Sequence, residues 1–218
     1  GFINEYSQIK SAIWCPGTGQ SGFEALGEIV AGTVNPSGKT SDTFVADLTA
    51  TPTWNNFGYF KYDNMDEYAY TSNNFKTGEE ETALPSFVNY VDGIYVGYRF
   101  YETAAAEGLI NYDDTVVYPF GYGLSYTTFT QEMGAISEDN GTISFDVTVT
   151  NTGDVAGKDV VEVYYNPPYT NGGIEKASAN LIQFEKTEVL QPGDSQTITV
   201  SFDAEDMASY DTYGAGCY

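Results

Sequence analysis

Strict alternation of apolar and polar residues between positions 142 and 150 constrains the fold of this 218-residue chain more than any other feature. Ile143, Phe145, Val147 and Val149 fall on one face, and Thr, Ser or Asp residues occupy the positions between them. A side-chain period of two is the pattern of a β-strand with one buried face and one solvated face. The segment therefore predicts a half-buried strand.

Further short strand patterns follow along the chain, separated by turns. Strands are predicted at 160–165, 181–184, 189–190 and 198–202, and turns at 151–154 and 191–194. Several short strands with turn residues between them are typical of a β-sandwich. The composition changes after Phe129, so we predict an all-β domain over residues 130–218.

An α/β pattern precedes this boundary. Residues 9–15 are predicted to form a strand, and residues 16–22 a turn that is rich in Gly and polar side chains. The apolar positions of Phe23–Ala31 recur at helical spacing. A strand, a loop and a helix in this order form the repeating unit of α/β folds, which predicts an α/β domain over residues 1–129.

The ends of that helix carry local signals. Ser21 and Glu24 have the spacing of a capping box, in which side chains bond to the free N–H groups of the first turn. Gly32 is the expected C-cap glycine. Further along, residues 47–86 have little periodicity and predict a long loop, whereas the segment 91–101 fits a strand and a helix equally well.

The loop at 16–22 is the best candidate for a binding site. In open α/β sheets, ligands lie outside the carboxyl ends of the strands. Thr18, Gln20 and Ser21 are therefore candidates for a substrate rim, with a purely structural connector as the alternative. The loop lacks the glycine spacing of a phosphate-binding motif.

Charge and residue usage exclude several function classes. The net charge of −23, with only 8 Lys and Arg, repels nucleic acid and anionic membranes and is compatible with a neutral sugar. The absence of His excludes Ser-His-Asp and Cys-His catalysis within the chain, and His-containing zinc sites as well. No apolar run approaches the roughly 20 residues of a membrane span. We expect no metal, no cofactor and free thiols at Cys15 and Cys217.

Arg99 is the only arginine of the chain, and aromatic residues surround it in sequence. A guanidinium group in such a setting most often anchors an ion pair within the protein. Asp92 and Glu102 are the nearest candidate partners in sequence. We expect a structural ion pair with one of these two carboxylates rather than a contact with substrate.

Several segments together resemble the glycoside hydrolases of family 3. Residues 19–25 and 32–39 are similar to the family's GQEGGNA and G-x-NPSGK stretches, residues 92–102 to EGIYVGYRYYE, and residues 118–129 to YPFGYGLSYTTF. Residues 149–157 and the turn at 190–195 resemble the fibronectin type III-like domain that follows in many members. The similar segments run in the family's order, and the stretch 204–211 resembles members in which the barrel domain comes last.

The resemblance implies a retaining β-glycosidase, most often a β-glucosidase that removes terminal β-D-glucosyl residues from oligosaccharides. Members combine a TIM-like barrel, an α/β sandwich with flavodoxin-like layers, and an immunoglobulin-like fibronectin type III domain. Their nucleophilic aspartate lies on the barrel, and their acid/base glutamate lies on a loop upstream of the strand matched by residues 9–15. Neither motif is found in this chain, and Glu5 has no claim to the acid/base role.

The resemblance therefore assigns no catalytic residue to this segment. It implies scaffold and an active-site rim, with the barrel as a missing partner, and Ser21 stands where the family loop has Glu. The fibronectin-like domain is expected to lack its last strand. A stand-alone carbohydrate-binding or adhesion module without catalysis is the alternative, and both a cytoplasmic and a secreted location stay open.

Overall fold

The computed structural model describes residues 5–56 and 60–218, which form mostly short β-sheets with a few helices. The α-helices are α1 Phe23–Ala31, α2 Pro52–Asn56, α3 Tyr98–Ala106 and α4 Tyr112–Thr115. The strands are β1 Phe44–Val45, β2 Tyr70–Asn73, β3 Glu80–Ala83, β4 Val116–Tyr118, β5 Phe129–Met133, β6 Ser137–Asp139, β7 Thr142–Asn151, β8 Val160–Tyr165, β9 Asn180–Lys186 and β10 Ser195–Asp203. Single 3-10 turns lie at Leu48–Ala50, Met65–Tyr68 and Ala204–Met207.

The chain divides into two compact units. One unit contains residues 1–46 and 97–218, and the other contains residues 47–96. The boundary predicted at 129/130 lies inside the larger unit and stays a prediction.

The larger unit has a small antiparallel sheet of β1 and β4, and two further antiparallel sheets in the region from Phe129 onward, which we call the β part. Strand β7 lies between β10 and β5 and also pairs with β6, whereas β8 pairs with β9. The β7–β10 register runs without interruption from Thr142 opposite Asp203 to Thr150 opposite Ser195. All pairs are antiparallel, as the turn-separated strand patterns predict.

The core of this part comes from the predicted alternation. Phe145, Val147 and Val149 of β7 are buried, and Val149 is completely inaccessible. They pack with Ile198 and Val200 of β10, and the cluster also includes Val161 from β8 and Leu190. Side chains of both sheets thus share one apolar layer. The strand predictions for β7, β8, β9 and β10 are confirmed, but Leu190 makes only a single bridge, to Gly157.

The predicted helix at Phe23–Ala31 is confirmed, and Gly32 ends it with a φ of 77°. This left-handed conformation lets the Gly32 N–H bond to the last carbonyls of the helix, as a glycine C-cap does. The capping box of Ser21 and Glu24 is wrong, because Gly22 is the N-cap and no side chain caps the helix. The chain already turns before the helix, because the Gly22 N–H donates to the Thr18 carbonyl, and the helix begins one residue after the position that a Ser21 cap requires.

The strand predicted at residues 9–15 is wrong. None of these residues belongs to a strand, and nearly all of them are exposed. A strand is stabilised by hydrogen bonds to a neighbouring strand, and no described segment pairs with this one. The apolar pattern is real, but Ile13 and Trp14 remain 50% and 70% exposed.

The unit at 47–96 has more regular structure than predicted. The long loop expected at 47–86 contains helix α2 and the antiparallel hairpin of β2 and β3. The hairpin pairs Tyr70 with Ala83 and Asn73 with Glu80. The segment 91–101 resolves into a turn followed by the start of helix α3.

Candidate functional site

The loop 16–22 and helix α1 place the three predicted rim residues close together on the larger unit. Gln20 and Ser21 are exposed, and Thr18 is half-buried. The Gly22 N–H donates to the Thr18 carbonyl at 3.2 Å, which closes a tight turn. A Cβ on Gly22 would collide with that same carbonyl, so only glycine fits this approach.

Helix α1 has an apolar face that the described residues cover only in part, since Leu26 and Ile29 are half-buried. It has no buried residue, and Phe23 and Val30 are each 70% exposed. The helix is nevertheless fixed at its C-terminal end, because the Tyr126 hydroxyl donates to the Ile29 carbonyl at 2.7 Å. The rim loop is therefore held through the helix that follows it.

Asn35 forms hydrogen bonds that connect the segment after helix α1 to residues at and before the start of the β part. Its Nδ2 donates to the Ala156 carbonyl at 3.0 Å. Its Oδ1 accepts from the Ser125 hydroxyl at 2.9 Å and from the Tyr126 backbone N–H at 2.8 Å. A Cβ on Gly157 would collide with the Asn35 amide. One side chain thus joins three segments, and we call Asn35 with these partners the Asn35 bracket.

A partly buried ion pair lies in the same stretch of the chain. Lys39 Nζ is 3.2 Å from Asp159 Oδ1, with the two side chains 24% and 13% exposed. The other oxygen of Asp159 accepts from Gln131 Nε2 at 2.8 Å. Ser37 Oγ accepts from Lys186 Nζ at 3.2 Å. The segment similar to NPSGK therefore contacts the β part at several points, and no pattern in the sequence predicts these contacts.

Asn151 is a second polar centre that sequence reasoning missed. It is completely buried, and its Oδ1 accepts from the Thr127 hydroxyl at 2.7 Å and the Gly153 N–H at 3.1 Å. Its Nδ2 donates to the carbonyls of Val155 and Leu190, each at 2.9 Å. The signal in the sequence was the Asn-Thr-Gly-Asp turn, because Asn side chains commonly bond to backbone groups nearby.

Arg99 lies in the first turn of helix α3. Its guanidinium carbon is 5.8 Å from the centre of the Tyr98 ring. Its Nε is buried and bonds to no described residue. Glu102 Oε1 accepts from the Tyr112 hydroxyl at 2.6 Å. Burial and this bond to Glu102 raise the pKa of Tyr112 well above its ordinary value.

Asp92 belongs to the unit at 47–96, where it accepts a hydrogen bond from the Asn56 amide. Asn56 in turn accepts from the Val91 N–H at 3.2 Å. The ion pair predicted for Arg99 with Asp92 or Glu102 stays a prediction.

Among residues 5–56 and 60–218, no group of three or more His, Cys, Asp or Glu side chains could hold a metal ion. None of the helices in the described ranges is long and apolar enough to cross a membrane. Cys15 and Cys217 are both exposed free thiols, as predicted.

The chain is similar to one domain family and to several glycosidases. The sequence model of the fibronectin type III-like domain matches residues 159–217. Over 222 residues the chain is 37% identical to β-glucosidase A of Butyrivibrio fibrisolvens, covering 95% of this chain and 23% of that protein.

Solved structures give the same result. β-Glucosidase 3B from Thermotoga neapolitana, solved in complex with glucose, matches with a TM-score of 0.67 and 33% identity over 88% of this chain and 22% of that one. A family 3 β-glucosidase from Bifidobacterium adolescentis matches with a TM-score of 0.65 and 30% identity, over 88% of this chain and 23% of the other. The chain thus spans between a fifth and a quarter of the length of these relatives.

Proposed function

Because the chain is related over nearly its whole length to the glycoside hydrolases of family 3, we propose that it acts as part of a retaining β-glucosidase. In this proposal it supplies scaffold and an active-site rim rather than catalytic groups. The observation that carries the proposal is the coverage, since 95% of the chain matches only 23% of a β-glucosidase. The substrate is then a β-glucoside or oligosaccharide, a neutral molecule compatible with the charge of −23.

Retaining glycosidases need two carboxyl groups about 5 Å apart, one as nucleophile and one as acid/base. We assign neither role to a residue of this chain, and both are to come from the remainder of the enzyme, including its barrel. Residues 1–129 are the latter part of the α/β sandwich with flavodoxin-like layers, and residues 130–218 are the fibronectin type III-like domain. This division is supported by the family order of the similar segments.

The rim is the second part of the proposal. Thr18, Gln20 and Ser21 are polar and lie on one tight turn, which suits hydrogen bonds to sugar hydroxyls. The Asn35 bracket holds the chain that follows helix α1, so it fixes the direction from which the rim approaches a substrate. The predicted ion pair of Arg99 with Asp92 or Glu102 is structural in this scheme.

Turnover of an aryl β-glucoside by the chain alone tests the claim that catalytic groups are absent. We expect no release of the aryl group above the rate without protein, because the nucleophile and the acid/base are missing. A complete family 3 β-glucosidase assayed at the same concentration is the positive control. Turnover by the chain at a rate near that of the complete enzyme would overturn the proposal.

A further inference from the structure

The unit at 47–96 is rich in aromatic residues, and none of those that the structure describes is buried. Eleven of its fifty residues are Phe, Tyr or Trp. The buried side chains of its described part are Thr51, Asn56 and Met65, none of them aromatic. Its exposed aromatic residues are Trp54, Phe60, Tyr62, Tyr68, Tyr70, Phe75 and Tyr90. Burial in a core, the usual reason for such rings, does not account for this set.

Three of the rings form a stack. The ring of Phe87 lies 5.5 Å from that of Phe60 and 4.6 Å from that of Tyr62, and both pairs are tilted by 33°. The backbone fixes the stack, because the Phe87 N–H donates to the Phe60 carbonyl at 3.0 Å in an antiparallel bridge. Phe60 and Tyr62 are still 37% and 49% exposed. We call these three residues the aromatic stack.

The charges of this unit indicate which class of ligand its surface can bind. Residues 47–96 contain eight Asp or Glu and two Lys. An anionic ligand, a nucleic acid or an anionic membrane would be repelled, and so would a second copy of the same surface. Carboxylates and amides accept hydrogen bonds from hydroxyl groups at no cost in net charge. The surface therefore suits a neutral ligand that combines apolar faces with many hydroxyl donors.

We propose that the aromatic stack is a binding site for a neutral, β-linked gluco-oligosaccharide. The hydroxyl groups of a β-glucosyl unit are equatorial, so both faces of the sugar ring present C–H groups that can lie flat on an aromatic ring. The stack offers such ring surface on a fixed backbone, and the acidic surroundings accept from the hydroxyls. The choice of a glucosyl ligand rests on the proposed function, whereas the site itself does not need the chain to take part in hydrolysis.

Titration calorimetry of the full chain with cellotetraose tests the site. We expect saturable binding, and a negatively charged oligogalacturonate of similar length should give no heat. Tyr62→Phe keeps the ring and should bind cellotetraose within about twofold of the unchanged chain, whereas Tyr62→Leu should weaken binding about tenfold. Tyr213→Ala is the matched control, because Tyr213 is 94% exposed and lies in the other unit, and it should leave the affinity unchanged.

A measurement on the unchanged chain tests the site independently of whether a variant folds. When the aromatic protons of the protein are saturated in an NMR experiment, the signal transferred to cellotetraose should be strongest at its axial C–H protons. No binding at millimolar cellotetraose, or equal affinity of the Tyr62→Leu and unchanged chains, would overturn the site. Since none of these measurements involves hydrolysis, such a failure would leave the glucosidase proposal standing.

Discussion

Asn35 shows how one side chain can hold distant parts of the molecule together. Its partners Ser125 and Ala156 are 90 and 121 positions away in sequence. Propensity and periodicity describe neighbouring residues, so no local pattern predicts this contact. Residues 32–39 are similar to a stretch of the family, but this similarity does not predict which partners Asn35 contacts. The structure shows that Asn35 is a hydrogen-bonding centre.

Replacing Asn35 should destabilise the larger unit. Asn35→Ala removes the partners of the Ser125 hydroxyl, the Tyr126 N–H and the Ala156 carbonyl. These bonds are part-buried or exposed, so water can replace some of the lost partners, and the free energy of unfolding from a urea titration should fall by about 1 kcal/mol. Asn171→Ala at an exposed position is the control and should have almost no effect. An unchanged urea midpoint for Asn35→Ala would show that the bracket does not contribute to stability.

Asp211 gives a prediction about pH. Its carboxylate accepts from the backbone N–H groups of Ala215 and Gly214, each at 2.8 Å, and these bonds hold its pKa below the ordinary value of an aspartate. The depressed pKa means that the stabilisation of this turn is present above the ordinary value, about 3.9, and is lost as the pH falls through the lower folded value.

An NMR titration of the Gly214 and Ala215 amide signals measures this directly. Their midpoint should lie below pH 3.9, because the bonded carboxylate resists protonation. In Asp211→Asn the same signals should no longer titrate in this range. A midpoint at or above 3.9 in the unchanged chain would contradict the hydrogen bonds described for this turn.

At the scale of elements, the sequence predicts strands well where one face is buried within the chain. The alternation at 142–150 predicted β7 correctly, and Phe145, Val147 and Val149 are buried as expected. The equally apolar run at 9–15 is not a strand, because strand formation also requires a hydrogen-bonding neighbour. Within 47–86 the hairpin of β2 and β3 was missed, since its exposed polar strands have no apolar period to detect.

Val200 and Val189 differ in burial, so replacing each by Ala should lower the free energy of unfolding by different amounts. Val200 on β10 is 3% exposed, whereas Val189 is 53% exposed. Val200→Ala removes two methyl groups from a closed core and should lower the free energy of unfolding by about 2 kcal/mol or more. Val189→Ala should change it by less than about 0.5 kcal/mol. Equal urea midpoints for the two variants would contradict the assignment of Val200 to the core.

At the scale of the whole molecule, the sequence predicted the kind of protein better than its site. Relatives and solved structures confirm the family resemblance, and the domain model confirms a fibronectin type III-like domain at residues 159–217. The rim residues Thr18, Gln20 and Ser21 lie on one turn, but their contact with a substrate stays a prediction. A site assembled from several segments depends on groups far apart in sequence, which a single-chain pattern does not specify.

We propose that this chain forms a non-catalytic part of a β-glucosidase. A chimera can test this proposal. In the chimera, this chain replaces the matching stretch of the Butyrivibrio relative. We expect the chimera to hydrolyse an aryl β-glucoside within about tenfold of the parent rate, a change of about 1.4 kcal/mol in the barrier, because in this proposal the rest of the parent supplies both catalytic carboxyls. A chimera that folds and lacks all activity would show that this chain cannot replace the matching part of a β-glucosidase.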